Sequence, residues 1–292
     1  MSPAVLRAAA ALALAVLLAG SAGAGEIRRG LAAPSPALGR EIAYALYLPD
    51  GYDARAGSDR FPVLFLLHGL GGRANDWLDG GHLGPTLDRL IGARAVPPML
   101  VVMPGMGDGW YVDNPDPGGL GAVQTAFLSD LVPAIDRTWR TTGRRDGRAV
   151  AGLSMGGWGA LRFSMLRPDL FVAAASLSGA VVTEDQARTP AWEDLFTGAF
   201  GRPFDLARFR AAAPFTLVTG FARLTVRPAL FLTCGDDDEL DLAWGNVLFH
   251  RELARAGVEA ELRVTDGGHD WGLWSRELES VLRFVGARFG DP

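Results

Sequence analysis

The sequence predicts an α/β fold in which a mostly parallel central sheet carries helices on both faces. Short apolar runs rich in Val, Leu, Phe and Ile alternate along the chain with longer segments of helical period. Most of these runs are continuously apolar, which is typical of strands that are buried on both faces. The repeated order of strand, helix and strand indicates parallel strands joined by crossover helices.

The individual elements follow from these runs in chain order. The runs predicted to be strands are 42–48, 61–69, 98–105, 148–154, 171–179, 228–235 and 259–267. The segments predicted to be helices are 84–94, 120–140, 156–167, 241–257 and 271–289. Residues 182–226 contain aromatic residues and helix breakers but no clear strand. We expect that segment either to cover a ligand crevice at the carboxyl ends of the strands or to form a peripheral helical excursion.

Residues 1–24 have the organisation of a secretory signal peptide. Arg7 precedes an apolar run, and the small residues Ala22 and Ala24 indicate cleavage after Ala24. The alternative is an uncleaved anchor, but the run is shorter than the roughly 20 apolar residues that a spanning helix needs. The sequence therefore predicts a secreted or periplasmic protein without a stable membrane anchor after cleavage, in which residues 25–292 form a single domain.

Composition limits which binding partners and which cofactors are expected. The formal net charge of −5 argues against nucleic acid or an anionic membrane as the main partner. Cys234 is the single cysteine, so no internal disulfide is expected. Its place at the end of an apolar run predicts a small buried side chain, with a catalytic thiol as the alternative. No histidine and carboxylate cluster has the spacing of metal ligands, so neither a metal nor an organic cofactor is expected.

Ser154 lies in the stretch GLSMG, residues 152–156, between a predicted strand and a predicted helix. This is the context of a nucleophile elbow, in which a tight turn holds the serine Oγ above the sheet. The helix that begins there directs backbone N–H groups toward developing negative charge. The alternative is a small residue in a glycine-rich turn, which the strand and helix on either side disfavour.

A serine nucleophile needs a base, and the base needs a third group that holds its tautomer. Of the four histidines, His269 follows the final predicted strand and matches the chain order of α/β-hydrolases, in which the acid lies between serine and histidine. The acid should follow the preceding strand, where Asp236, Asp237 and Asp238 occur together. Sequence order does not choose among these three, and at least two of them must be turn carboxylates.

The segment HGLGG, residues 68–72, ends another predicted strand, and its N–H groups could complete an oxyanion hole with the N–H after Ser154. Together with GLSMGGWGA, CGDDDEL and GGHDWGLW, it makes the chain resemble an esterase family of α/β-hydrolases. That family includes tributyrin esterases, S-formylglutathione hydrolases, feruloyl esterases and secreted mycolyltransferases. The resemblance extends over most of the chain and implies the α/β-hydrolase fold.

The resemblance also assigns roles to individual residues. It implies that Asp238 is the triad acid and that the N–H groups of Leu70 and Met155 form the oxyanion hole. Residues 107–115, GDGWYVDNP, resemble the family's loop beside the site, so Trp110 and Asp113 are expected to border the substrate.

Several aromatic residues lie close in sequence to the catalytic motifs. Trp271 and Trp274 follow the histidine, Trp158 follows the elbow, and Trp192 lies in the segment that could cover the crevice. We expect Trp158 to be ordinary core and Trp271 to contact substrate. The others could wall an apolar pocket for an acyl or aryl group, because tryptophan supplies a large rigid surface.

The sequence thus predicts an exported serine esterase that hydrolyses small-molecule carboxylic esters through an acyl-enzyme. One alternative is an acyltransferase that passes the acyl group to a sugar or glycerol hydroxyl, since transfer would use the same motifs. A second alternative is a secreted, non-catalytic binding protein on a hydrolase scaffold, whose usual sign would be a broken triad. The signal peptide counts against S-formylglutathione hydrolase activity. The sequence predicts neither the acyl length nor the oligomeric state.

Overall fold

The structure, a computed structural model, describes residues 23–53 and 59–290. Most of the predicted signal peptide, residues 1–22, therefore lies outside the described residues. In chain order, the strands are β1 (Glu26–Ser35), β2 (Arg40–Leu48), β3 (Val63–Leu67), β4 (Leu100–Pro104), β5 (Asp113–Asn114), β6 (Gly121–Ala122), β7 (Arg148–Leu153), β8 (Ala173–Leu177), β9 (Ala229–Gly235) and β10 (Glu261–Thr265). Eight of them form the central sheet, with the strand order β1-β2-β4-β3-β7-β8-β9-β10, and β5 and β6 form a separate pair.

Helices connect most of these strands. In chain order, they are α1 (Asp76–Asp79), α2 (Leu83–Gly92), α3 (Val123–Thr125), α4 (Val132–Thr138), α5 (Met155–Leu166), α6 (Glu184–Ala187), α7 (Pro190–Leu195), α8 (Thr197–Phe200), α9 (Leu206–Ala212), α10 (Pro214–Ala222), α11 (Leu242–Arg255) and α12 (Trp271–Gly286). A π-helical segment, Ala126–Leu131, joins α3 to α4. Within the ranges that the structure describes, no helix is long and apolar enough to cross a bilayer.

The sheet is parallel from β4 through β10, and β2 is antiparallel to both of its neighbours. The predicted α/β class, with a mostly parallel sheet, is therefore confirmed, and each predicted strand has an observed counterpart. The sequence reasoning missed β1. That strand is mostly exposed and pairs only with β2 at the edge of the sheet, so it lacks the continuous apolar run that marks a buried strand.

Both faces of the sheet are covered, because successive strand side chains point to opposite sides. Phe65 of β3 belongs to a core that includes Phe163 of α5. Its neighbour Leu64 belongs to a second core, with Leu87 of α2 and Leu278 of α12. The helices on both faces thus follow directly from strands that are apolar at every position.

Residues 182–226 form the short helices α6 to α10. Phe196, Phe200 and Phe209 of this segment are fully buried and contact one another through their rings. Trp110, which precedes β5, packs against Phe196 in a tilted arrangement with a centroid distance of 4.4 Å. The segment is therefore packed onto the loop between β4 and β5, beside the carboxyl ends of the strands.

Candidate active site

Ser154 occupies the sharp turn between β7 and α5, with φ 53° and ψ −120°. Its N–H donates to the carbonyl of Leu177 at 2.8 Å, which ties the turn to β8. The flanking glycines are required by close backbone contacts. A Cβ on Gly152 would lie 2.5 Å from the carbonyl oxygen of Gly156, and one on Gly156 would lie 2.6 Å from that of His68. The turn therefore presents the serine above the end of the sheet at the cost of local backbone strain.

A continuous chain of hydrogen bonds joins Ser154 to His269 and Asp238. The distance from Ser154 Oγ to His269 Nε2 is 2.9 Å, and that from His269 Nδ1 to Asp238 Oδ2 is 2.8 Å. An ionised carboxylate only accepts hydrogen bonds, so Nδ1 carries the proton and Nε2 is free to accept the serine hydroxyl. The carboxylate is fully buried and the imidazole side chain is 11% exposed. This geometry suits a serine whose proton is removed by histidine.

The structure brings one of the three adjacent aspartates to the imidazole. Asp238 holds the histidine with Oδ2, and its Oδ1 accepts the N–H of Leu240 at 3.1 Å. Asp236 instead accepts the N–H of Gly267 at 3.2 Å, and Asp237 is exposed. The latter two carboxylates are thus turn residues in this geometry.

Cys234 lies behind the acid, with Sγ 3.7 Å from Asp238 Oδ2. Burial raises the pKa of its thiol to about 12, and the nearby Asp238 carboxylate acts in the same direction. The thiol therefore stays protonated near neutral pH, and a catalytic thiolate at this position is not supported.

The loop that follows β3 carries Leu70, one of the two expected oxyanion donors. The carbonyl of Gly69 accepts from His68 Nδ1 at 2.7 Å and from the N–H of Gly72 at 3.1 Å. Because a peptide unit is planar, these bonds also set the direction of the Leu70 N–H at its other end. The N–H of Met106 donates to His68 Nε2 at 3.0 Å, which assigns the proton of His68 to Nδ1. Burial lowers the pKa of His68, so the ring stays neutral in this role.

Met155, the other expected donor, is the first residue of α5. The first N–H groups of a helix have no carbonyl partner within the helix, so they remain available to a ligand or an oxyanion.

Trp110 and Tyr111 are consecutive aromatic residues with φ of 51° and 54°, a backbone conformation that residues other than glycine rarely adopt. Trp110 Nε1 donates to the carbonyl of Leu195 at 2.9 Å, and the Tyr111 hydroxyl donates to the carbonyl of His68 at 2.9 Å. These bonds connect the loop before β5 both to the segment 182–226 and to the oxyanion loop.

A cavity of about 250 Å³ opens at Ser154. It is lined by Gly69, Leu70, Gly72, Asp76, Trp110, Leu153, Ser154, Trp192, Leu195, Leu240, His269, Trp271 and Trp274. Trp192 and Leu195 come from the segment 182–226. The walls are mainly tryptophan and leucine, which suits an apolar group beside the nucleophile.

The predicted substrate neighbours have different places. Trp110 and Trp271 line the cavity, whereas Asp113 does not. The Asp113 carboxylate is exposed and accepts the N–H of Thr125 at 3.0 Å and its hydroxyl at 2.7 Å, at the start of the helical segment after β6. The structure therefore does not support the expected contact of Asp113 with substrate, because the carboxylate instead holds the backbone at Thr125. Trp158 is fully buried and stacks edge-on against Trp110.

Sequence reasoning missed two cavity residues, Asp76 and Leu195. Asp76 follows the HGLGG motif closely, but nothing in a single turn of helix marks its side chain as facing the site. Leu195 lies in a segment without a catalytic motif. Both positions are decided by how separate loops pack at the ends of the strands.

One group of carboxylates could be considered for a metal ion. Oxygens of Asp236, Asp237 and Asp266 lie within 4.8 Å of one another, and all three residues are exposed. Exposed acidic groups of this kind are common on protein surfaces, and these three lie on the loops that follow β9 and β10.

Residues 35–285 match the family described as "Putative esterase". The chain belongs to this esterase family. An esterase of Mycobacterium tuberculosis is 31% identical to it over 256 residues, which are 80% of this chain and 53% of that relative. An endo-1,4-beta-xylanase/feruloyl esterase of Xylanibacter ruminicola is 30% identical over 253 residues, covering 85% of this chain and 30% of that protein. This esterase-family chain thus spans about half or less of the length of these curated relatives.

Solved structures give the same result for this esterase-family chain. A ferulic acid esterase superposes with a TM-score of 0.77 at 29% identity, and the alignment covers 91% of this chain and 99% of that chain. The similarity therefore includes the whole solved domain and confirms the fold expected from the motifs.

Proposed function

We propose that this member of the esterase family is an exported serine hydrolase that cleaves small-molecule carboxylic esters through an acyl-enzyme. The observation that carries the proposal is the hydrogen-bonded chain from Ser154 through His269 to the buried Asp238, at the mouth of a 250 Å³ cavity. A non-catalytic binding protein would have no need for a continuous triad of this geometry.

The reaction follows from these contacts. Ser154 Oγ attacks the ester carbonyl carbon while its proton passes to His269 Nε2, and the carbonyl oxygen becomes an oxyanion. The N–H groups of Leu70 and Met155 stabilise that charge. The tetrahedral intermediate collapses, the bond to the alcohol oxygen breaks, and His269 returns the proton to the departing alcohol. Asp238 stabilises the imidazolium that forms between these steps.

Deacylation follows the same chemical steps, with water in place of the serine hydroxyl. Water gives a proton to His269 and attacks the acyl carbon, and the carboxylic acid leaves as Ser154 recovers its proton. A sugar or glycerol hydroxyl in the place of that water would give acyl transfer. The triad serves both outcomes, so acceptor competition separates them.

The decisive experiment is a panel of p-nitrophenyl esters of increasing acyl length, assayed with the wild-type protein and Ser154→Ala. We expect Ser154→Ala to lose on the order of 10⁴-fold or more of the turnover, because a triad serine has no substitute. A fluorophosphonate should label the wild-type protein covalently and leave Ser154→Ala unlabelled. Added glycerol diverts product to glycerol ester if transfer competes with hydrolysis.

Ser164 supplies the matched control, because it lies on the same helix and its hydroxyl donates to the carbonyl of Leu161 at 2.8 Å. Ser164→Ala should keep both turnover and labelling. Turnover by Ser154→Ala at the wild-type rate would remove Ser154 from the mechanism.

We also propose that the segment 182–226 covers the crevice and that the mature chain begins at Gly25. Support for the cover comes from Trp192 and Leu195, which line the cavity, and from the bond between Trp110 and the Leu195 carbonyl. Support for cleavage comes from the small residues before Gly25 and from β1, which begins directly afterwards at Glu26. Amino-terminal sequencing of protein exported by an expressing cell tests the second proposal, and retention of residues 1–24 would contradict it.

A further inference from the structure

The cavity at Ser154 has an unusual balance of charge. Of the described residues that line it, Asp76 is the one acidic side chain, and no lysine or arginine lines it. The remaining walls are mainly apolar, so this carboxylate has few polar neighbours inside the cavity. The mechanism described above does not use it.

Asp76 is the first residue of α1 and is half-buried. Its Oδ2 accepts the N–H of Arg73 at 2.8 Å, which holds the carboxylate toward the loop after β3. A Cβ on Gly72 would lie 2.7 Å from the same oxygen, so the loop backbone and the carboxylate are closely packed. The side chain of Arg73 is exposed and does not line the cavity.

Two further carboxylates accept hydrogen bonds from the loops that carry the catalytic groups. Asp108 Oδ1 accepts the N–H of Gly71 at 2.6 Å, on the oxyanion loop. Glu239 Oε2 accepts the N–H of His269 at 3.1 Å. Neither lines the cavity, but both add negative potential to the field at its mouth.

We propose that Asp76 determines the charge specificity of the site, which accepts neutral and cationic esters and disfavours anionic ones. The proposal rests on the esterase function proposed above. A cation in the cavity is attracted by the Asp76 carboxylate, which lines it. An anion meets the carboxylate without a basic side chain to balance it.

The size of the effect follows from Coulomb's law. A unit charge about 7 Å from the carboxylate changes kcat/KM by about threefold under water-like screening, and by more at the lower dielectric of a partly buried site. A cationic and an anionic ester of equal size should therefore differ by about tenfold through Asp76 alone.

The experiment uses two matched sets of esters with the full-length protein. In one set, butyrate is esterified to choline, to neutral 3,3-dimethylbutanol and to anionic 2-sulfoethanol. In the other, p-nitrophenol is esterified to 6-(trimethylammonio)hexanoate, hexanoate and the monoanion of adipate, whose charged groups do not attack the ester through a five-membered ring. The first set tests charge in the alcohol portion and the second tests charge in the acyl portion. The measured quantity is the ratio of kcat/KM for the cationic ester to that for the anionic ester, at low and high salt.

Asp76→Asn removes the charge and keeps an oxygen that can accept the N–H of Arg73. We expect the cationic to anionic ratio to fall about tenfold in at least one of the two sets. Asp79→Asn is the matched control, because Asp79 lies on the same helix, pairs with Arg29 at 2.8 Å and does not line the cavity. It should keep the wild-type ratio.

A second readout needs no variant. The ratio of the wild-type protein should shrink as salt is raised, because about 1 M salt reduces the screening length to about 3 Å. In Asp76→Asn the ratio should depend much less on salt.

The outcomes separate this proposal from the proposed function. If the neutral esters are hydrolysed and Asp76→Asn keeps the wild-type ratio in both sets, Asp76 has no part in charge specificity. The same conclusion follows if the wild-type protein hydrolyses anionic and cationic esters equally well. If even the neutral esters are not hydrolysed, the esterase function itself fails, and the charge proposal fails with it.

Discussion

The backbone at Ser154, with φ 53° and ψ −120°, lies in a region that glycine adopts without strain and serine does not. Replacing the serine by alanine or by glycine removes the same hydroxyl and the same bond to His269. The two variants differ only in the Cβ atom. The difference between their free energies of unfolding therefore measures the strain that the turn imposes on a side chain.

The expected size comes from two opposing effects. A residue other than glycine held in such a conformation costs about 1–3 kcal/mol. Glycine costs about 0.5–1 kcal/mol more than alanine in lost backbone entropy. We therefore expect Ser154→Gly to be more stable than Ser154→Ala by about 1 kcal/mol, which corresponds to a rise in Tm of about 2 °C in a protein of this size.

Ser275 provides the matched pair, because it lies within α12 in ordinary helical backbone. There the order should reverse, with Ser275→Gly less stable than Ser275→Ala by about 1 kcal/mol. Urea unfolding of all four variants gives the two differences, and ester turnover should be absent in both Ser154 variants and retained in both Ser275 variants. If glycine is as unfavourable at Ser154 as it is at Ser275, the elbow stores no strain and the reasoning is wrong.

Three further predictions concern the acid, the oxyanion loop and the cover. Asp238→Asn should lower kcat by about 10³- to 10⁴-fold, because an amide favours the wrong histidine tautomer, whereas Asp236→Asn and Asp237→Asn should change it little; an equally large loss in Asp237→Asn would move the acid. Burial lowers the pKa of His68, so below about pH 6.5 the unfolded chain binds a proton at this residue that the native state does not bind. The free energy of unfolding should therefore decrease as the pH is lowered, by up to about 1.4 kcal/mol per pH unit. Urea unfolding at pH 7.5 and pH 5.5 should therefore show a smaller loss in His68→Gln than in the wild-type protein, and an equal loss would contradict a neutral His68. Trp192→Ala should lower kcat/KM for p-nitrophenyl hexanoate by about fivefold more than for the acetate, since it removes about 1 kcal/mol of apolar contact from the cavity wall; an equal loss for both esters would place Trp192 outside the acyl pocket.

Local patterns were sufficient for most of the fold. A strand buried on both faces is apolar at every position, so runs such as 98–105 predict strands without knowledge of their neighbours. The edge strand β1 was not predicted, because most of its residues are exposed to solvent and its pairing depends on β2. The π-helical turn at Ala126–Leu131 also escaped, since its apolar spacing is close to that of an ordinary helix.

By itself, the sequence determined the fold class and the order of the catalytic motifs, because a tight glycine-flanked turn after a buried strand is a local property of the chain. Residue order left three adjacent aspartates open, and beyond the family resemblance it was the tertiary structure that brought Asp238 to His269, 31 positions further along the chain. It also decided that Asp113 holds a turn and that Asp76 faces the cavity. These choices depend on the relative positions of loops from different strands, and each loop is set by packing and hydrogen bonds that no short segment of sequence contains.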